Sequence, residues 1–430
     1  MANLPHYPIS KIGYIATTML PCFMFMLVSI PVKKRNVIQE LCLLLLWLIG
    51  LSVPIYYAGK LPYVYLISTS VWSWGTSMKM GVWLFSMSME ERRQCPFALT
   101  ILQWRKERYS EKAKVDHHPS HVYIDFPLAQ YIFSTIKHQI VYDLVEIILR
   151  QLDLDRPVRL FSAVIYHFLG MFFNLSAPET ELPFSFGNVA LSTCTCILFL
   201  VYVQMQLQLT YDVFNILFTL MYKSLPTLEK WQLGNKAIYT RDVAKTKAAL
   251  KRIRRIRAVK VYLEQTISMP PAFNRPWCAY SLRDFWARRW HTYYNECFYR
   301  LGYQPIRLIT MLILGCKPPR WLPALSVFVM SGLMHEYFLY AATGPALYFQ
   351  GTPIPACFIQ FSFFVSQAVF ISIGDRLSLS DGFLGRAYAV LIMILTCHLF
   401  VVPYLLTGYL YMPRFSFYRT FVNIYQGEII

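Results

Sequence analysis

The side chains able to do chemistry fall in two places. Residues 281–300 read Ser-Leu-Arg-Asp-Phe-Trp-Ala-Arg-Arg-Trp-His-Thr-Tyr-Tyr-Asn-Glu-Cys-Phe-Tyr-Arg, which sets Arg283, Arg288 and Arg289 beside the indoles of Trp286 and Trp290 and the imidazole of His291. Further on, residues 331–337 read Ser-Gly-Leu-Met-His-Glu-Tyr, with His335 inside a run that carries no charge over the 14 residues before it and Glu336 next to it. A neutral imidazole takes a proton from a hydroxyl, the requirement for general-base catalysis of acyl transfer. An ionisable residue within a transmembrane helix costs about 3 kcal/mol and is a functional candidate by default. Guanidinium groups at a membrane face suit phosphate, which they grip with two parallel hydrogen bonds.

The local pattern of 281–300 predicts how these groups are held. Ser281 followed by Asp284 has the form of a capping box, so a helix is expected to start there. Asp284 and Arg288 stand four apart in the favourable acid-first order, and Trp286 and Trp290 share a face. The plainer reading is an interfacial helix with an aromatic belt and snorkelling arginines. The density of cations, indoles and imidazole exceeds what anchoring requires.

Other polar clusters are weaker. His167 and His398 lie in apolar runs without a charged neighbour and read as structural. His117, His118 and His121 form a cluster, and His121 with Asp125 fits a His-x-x-x-Asp pattern of soluble acyltransferases. The pattern is short and lies on a hydrophilic loop, which reads as solvated; a metal site stays open there, with three ligands visible. The ten cysteines are scattered without metal or disulfide spacing and read as small buried hydrophobes.

The elements that position these groups follow from composition. Hydrophobic residues make up 56% of 430 positions and charged ones 15%, against about 25% charged in soluble domains. The chain is therefore expected to be an all-α polytopic membrane protein. Its net charge of +18 is concentrated between apolar runs, which favours the cytosolic side for those stretches. Nucleic acid is the weaker reading for a partner, because the cations interleave with membrane segments and no nucleic-acid module is recognisable. The first apolar run lacks the form of a cleavable signal.

Apolar stretches at 12–32, 41–57, 61–85, 160–177, 182–222, 321–342, 346–373 and 387–413 predict eight crossings, with seven to ten allowed. The 182–222 run is about twice a bilayer core in length as a helix, and is expected to be one crossing plus a bent or in-plane portion, or two crossings. Residues 126–152 predict an interfacial amphipathic helix. Residues 241–260 hold nine cations and read as a solvated cytosolic loop, with phosphate binding as the sharper option. Eight crossings put both termini in the lumen and place Asn174 of an Asn-Leu-Ser sequon there, close to the bilayer. One membrane domain is expected, with N-terminal helices over 1–222, a basic loop and motif segment over 223–300, and C-terminal helices over 301–430.

The two motifs resemble the membrane-bound O-acyltransferase family, in its wax-synthase-like branch. Plant wax synthases carry Ser-Leu-x-Asp-Phe-Trp-Gly-Arg-Arg-Trp-Asn and later Ser-Gly-Leu-Met-His-Glu. Matching positions here are Ser281, Leu282, Asp284, Phe285, Trp286, Arg288, Arg289 and Trp290, then residues 331–336. The likeness covers roughly residues 275–410; the N-terminal half agrees in hydropathy alone. Ala287 replaces the usual glycine, and His291 replaces asparagine. Histidine there is similar to fungal wax-synthase-like enzymes, many of which acetylate terpenoids.

The resemblance implies a helical bundle with a catalytic chamber in the membrane and no bound cofactor or metal. It implies acyl transfer from acyl-CoA, acetyl-CoA favoured, to the hydroxyl of a lipophilic molecule such as a terpenoid in secondary metabolism. His335 is the expected base. His291 is expected to orient the thioester or hydrogen-bond the oxyanion. Trp286, Trp290, Arg288, Arg289, Asp284 and Glu336 are the expected substrate-binding residues. The alternatives are a wax ester synthase joining fatty acyl-CoA to a long-chain alcohol, and a membrane transporter. Expected partners are membrane lipid, acyl-CoA and the alcohol; a homodimer stays open, and the endoplasmic reticulum is the expected location.

Overall fold

The computed structural model describes residues 9–30, 36–102, 123–173, 182–234, 243–269, 271–379, 382–411 and 416–420. Helices follow one another as α1 (Lys11–Val28), α2 (Val37–Tyr56), α3 (Tyr63–Gly81), α4 (Met89–Gln94), α5 (Phe97–Leu102), α6 (Leu128–Gln151), α7 (Asp155–Phe173) and α8 (Phe186–Leu233). Then come α9 (Val243–Ile267), α10 (Leu282–Asp284), α11 (Asn295–Phe298), α12 (Gln304–Leu314), α13 (Trp321–Gln350), α14 (Ile359–Arg376) and α15 (Gly382–Leu406). No strand occurs among the described residues. The all-α expectation holds. His117, His118, His121 and Asn174 lie outside the described residues, whereas Asp125 pairs with Lys223 at 2.8 Å.

Each expected crossing has a helical counterpart, in α1, α2, α3, α7, α8, α13, α14 and α15. Five of them (α1, α2, α8, α13 and α15) are long and apolar enough to cross a membrane by length and composition. This is an integral membrane protein. The 182–222 run is neither bent back nor split: α8 is one helix of 48 residues, roughly 70 Å long. Its C-terminal part carries a partner. The basic stretch forms the helix α9, which buries Ala249, Ile253, Ile256, Lys260, Leu263 and Ile267 at helical spacing. Arg257 of α9 reaches Glu229 of α8 at 2.8 Å, and Lys260 is buried beside Glu264 at 3.3 Å.

Helix α6 turns Ile132, Phe133, Ile136, Ile140, Leu144 and Ile148 outward. Its buried face holds Gln139, Asp143 and Glu146, and His138 meets Asp212 of α8 at 2.6 Å. Apolar residues on the outside and polar ones within suit a helix whose surroundings are lipid.

The break expected at residues 344–345 is real. Gly344 leaves the helical region at φ 76°, and its backbone lies against Ala58 and Gly59 of the α2–α3 connection. The next crossing begins later than hydropathy placed it, at Ile359, because residues 345–350 finish α13 and 351–358 form a loop. Helices α13 and α14 lie very close: a Cβ on Gly332 would stand 3.0 Å from the Cα of Phe361.

Candidate active site

The first motif is built on a change of helical register. Ser281 caps α10 by accepting from the Asp284 backbone N–H at 3.1 Å, as the sequence pattern predicts. The chain then makes a wider π-type turn over Phe285–Arg289, closed by the Trp290 N–H on the Phe285 carbonyl at 2.9 Å. In that turn residues five apart come into register. Buried Asp284 therefore pairs with Arg289, five residues on, in place of Arg288. The exposed Arg288 donates to the Tyr280 hydroxyl at 3.0 Å. Arg283 pairs with Asp375 at the end of α14. The segment is stitched to the preceding loop by Asn274 N–H on the Arg289 carbonyl at 2.9 Å and Thr292 N–H on the Ala272 carbonyl at 3.1 Å.

The stitching delivers His291 with left-handed backbone angles, φ 44° and ψ 61°. That region costs an ordinary L-residue about 1–2 kcal/mol, and asparagine, aspartate and histidine are the side chains enriched there. Asparagine and histidine are thus the interchange this backbone tolerates. The ring of His291 packs among Phe273, Tyr293 and Tyr294, with centroids 5.6, 5.5 and 5.6 Å away. Burial pushes the Tyr294 hydroxyl up, and pushes the Cys297 thiol up to about 11. Burial thus favours the protonated form of both near neutral pH.

The second motif divides its labour by helical angle. Gly332 admits α14. Glu336 points at the start of α14, where its carboxylate accepts from the Phe358 and Phe361 backbone N–H groups at 3.0 and 2.8 Å and from the Tyr348 hydroxyl. All three donors belong to the protein, whereas the sequence suggested substrate contact for Glu336. Asp284 is occupied likewise.

His335, about 100° round the helix from Glu336, faces inward. Its ring stacks on Phe364 at 4.7 Å and meets Phe400 edge-on at 5.3 Å. Nδ1 lies 3.1 Å from the Tyr404 hydroxyl. Gln360, on the neighbouring helix, donates its amide N–H to the Phe400 carbonyl at 2.7 Å.

Trp286 joins the two motifs. Its ring lies 5.8 Å from both Phe328 and Phe364, and its indole N–H donates to Gln367 at 3.3 Å. Trp290 sits 6.4 Å from Trp286 and 5.0 Å from Phe273, which in turn contacts His291. The imidazoles of His291 and His335 stand close enough for their charges to interact. Of the eight residues singled out from sequence, His335, Trp286, Trp290 and His291 are joined by one run of ring contacts through Phe364 and Phe273. Arg288 faces outward, and Arg289, Asp284 and Glu336 have partners within the protein.

Sequence reasoning missed Tyr404, Gln360, Gln367 and Phe364. The two glutamines were the available signal. Both are fully buried and stand seven apart, two turns along one face of an apolar helix. A separate groove of about 240 Å³, lined by Trp321, Leu325, Ala368 and Arg376 among others, lies about 15 Å along α13 from His335.

Residues 269–366, which span both motifs, match the family model described as membrane bound O-acyl transferase family. The chain is similar to acyl-CoA–sterol O-acyltransferase 1 of Arabidopsis thaliana, 30% identical over 132 residues, 31% of this chain and 37% of that protein. It is also similar to a long-chain-alcohol O-fatty-acyltransferase of Simmondsia chinensis, 38% identical over 80 residues, 18% of this chain and 22% of that one. A probable long-chain-alcohol O-fatty-acyltransferase 9 of Arabidopsis thaliana is 32% identical over 87 residues, 20% and 26% of the respective chains. The matched stretch thus spans between about a fifth and just over a third of these relatives. The resemblance to the wax-synthase-like branch is borne out. No solved structure matches this chain.

Proposed function

We propose that the protein transfers an acyl group from acyl-CoA to the hydroxyl of a lipophilic alcohol. The observation that carries this reading is that His335 and His291, from separate motifs, are connected by a continuous run of aromatic contacts through Phe364, Trp286, Trp290 and Phe273. In this reading Nδ1 of His335, 3.1 Å from the Tyr404 hydroxyl, carries the ring proton. The tyrosine oxygen then accepts from Nδ1–H of His335. This fixes the tautomer with the lone pair on Nε2, the form a general base needs.

In the proposed reaction Nε2 takes the proton of the alcohol as its oxygen attacks the thioester carbonyl. The tetrahedral oxyanion accepts a hydrogen bond from His291, a contact worth about 3 kcal/mol in other acyl-transfer sites. The C–S bond then breaks, and the departing thiolate takes the proton from His335, leaving ester and free CoA. The rings of Trp286, Phe364 and Phe400 exclude the water that would otherwise hydrolyse the thioester. Exposed Arg288 is available to CoA phosphates. We place the enzyme in the endoplasmic reticulum membrane, with α9 on the cytosolic face by the positive-inside rule.

The relatives' names support a fatty acyl donor with a long-chain alcohol or sterol acceptor. An acetyl donor and terpenoid acceptor rest on His291 alone. Free-CoA release by the purified protein, with acetyl-CoA or palmitoyl-CoA against a panel of fatty alcohols, sterols and terpenoid alcohols, separates the two. His335→Ala is expected to abolish alcohol-dependent CoA release while membrane insertion and yield stay unchanged. Equal release by wild type and His335→Ala sinks the assignment.

A further inference from the structure

We propose that Cys196 of α8 and Cys397 and His398 of α15 form a zinc site between these two helices, apart from the reaction chamber. The two Sγ atoms and a ring nitrogen of His398 all lie within 4.8 Å of one another. Cys397 Sγ stands 3.6 Å from His398 Nδ1. A zinc ion with bonds of about 2.3 Å to sulfur and about 2.0 Å to nitrogen at a tetrahedral angle holds those atoms about 3.5 Å apart. The sulfur and nitrogen are already at the separation an ion would impose.

The other ring nitrogen is held as a ligating histidine requires. Ser192 Oγ lies 2.7 Å from His398 Nε2, so the hydroxyl can accept its proton and leave the Nδ1 lone pair free beside Cys397 Sγ. Such an outer partner orients the ring and sets its tautomer. Charge selects the metal. Zn²⁺ with two thiolates and a neutral imidazole has no net charge, which suits a site with both cysteines fully enclosed in a membrane bundle. Copper(I) on the same ligands leaves a net negative charge. Three protein ligands leave one position open, the count of open zinc sites.

The placement has a consequence for the chamber. Cys397 stands one turn from Phe400 and two turns from Tyr404 on α15, and these two residues contact His335. Binding would release the two thiol protons and pin α15 to α8 beside the catalytic histidine's supports.

The test is metal content and cobalt spectroscopy on full-length protein in detergent. Purified wild type is expected to hold one zinc per chain by mass spectrometry. Replacing it with Co²⁺ should give a thiolate-to-cobalt charge-transfer band, a readout that needs no variant. Cys196→Ser and Cys397→Ser should lose both signals, and the exposed Cys194→Ser should keep both. Ser192→Ala should retain the stoichiometry with affinity about tenfold weaker. Elution as a single species in size exclusion identifies variants that fold. Wild type that takes up neither zinc nor cobalt overturns the proposal. So does copper as the resident metal, a Cys196–Cys397 disulfide in unreduced protein, or a cobalt band that survives in a folded cysteine variant.

Discussion

Replacing Glu336 by glutamine separates a positioning role from a substrate-binding one. The carboxylate accepts from Phe361 N–H on one oxygen at 2.8 Å and from Phe358 N–H at 3.0 Å and the Tyr348 hydroxyl on the other. A glutamine amide has one acceptor oxygen. In its better orientation the oxygen keeps Phe358 and Tyr348, and the NH₂ group faces the Phe361 N–H, donor against donor. One charge-assisted bond, worth about 1.5–3 kcal/mol, is lost. The two remaining bonds weaken from charged to neutral, and the negative charge at the N-terminus of α14 disappears, a further 0.3–1 kcal/mol or so. The expected loss of stability is about 3–5 kcal/mol, the range for breaking a buried charged contact. Phe364 stacks on His335 one turn further along α14, so kcat should fall together with stability. Thermal unfolding in detergent, followed by size exclusion, reads the first effect; initial-rate CoA release on the folded fraction reads the second. An unchanged unfolding temperature with KM for the alcohol raised about tenfold would falsify the positioning role and return Glu336 to substrate binding.

Four further outcomes are expected. His291→Asn should retain activity because asparagine tolerates the left-handed backbone and still donates a hydrogen bond, whereas His291→Ala should cost about a hundredfold in kcat; equal loss in both would point to proton transfer. Tyr404→Phe should lower kcat about tenfold, the equivalent of one hydrogen bond, with KM and unfolding temperature held; an unaltered rate removes Tyr404 from the relay. Gly332→Ala should destabilise by about 1–3 kcal/mol, since its methyl meets Phe361 at 2.9 Å; wild-type stability would mean that α13 and α14 are not so close. Burial holds the Cys297 thiol up at about 11, so it stays protonated from neutral pH to well above 9 and should resist maleimide at pH 8 in folded protein. Rapid peptide-mapped labelling there contradicts that burial.

Much of this protein was legible residue by residue. Uninterrupted apolar runs defined the membrane class and the eight principal helices, because burial in lipid is a property of consecutive residues. Isolation of His335 in such a run marked it as a candidate, and the Ser281 cap followed from a spacing of three. The sequence did not reveal pairings that depend on how separate helices meet. The Asp284–Arg288 pair expected from a regular helix became Asp284–Arg289 because a π-type turn added one residue to the local repeat. Glu336 is chemically able to bind substrate, and only the start of α14, packed against Gly332, shows the two backbone N–H groups that meet its carboxylate. Tyr404 and Phe364 reach His335 from α15 and α14, and Cys196 meets Cys397 and His398 across some two hundred residues. Hydropathy and periodicity record which face of a helix is apolar. Which side chain stands opposite across the interface is decided by packing in three dimensions, and that packing placed these groups together.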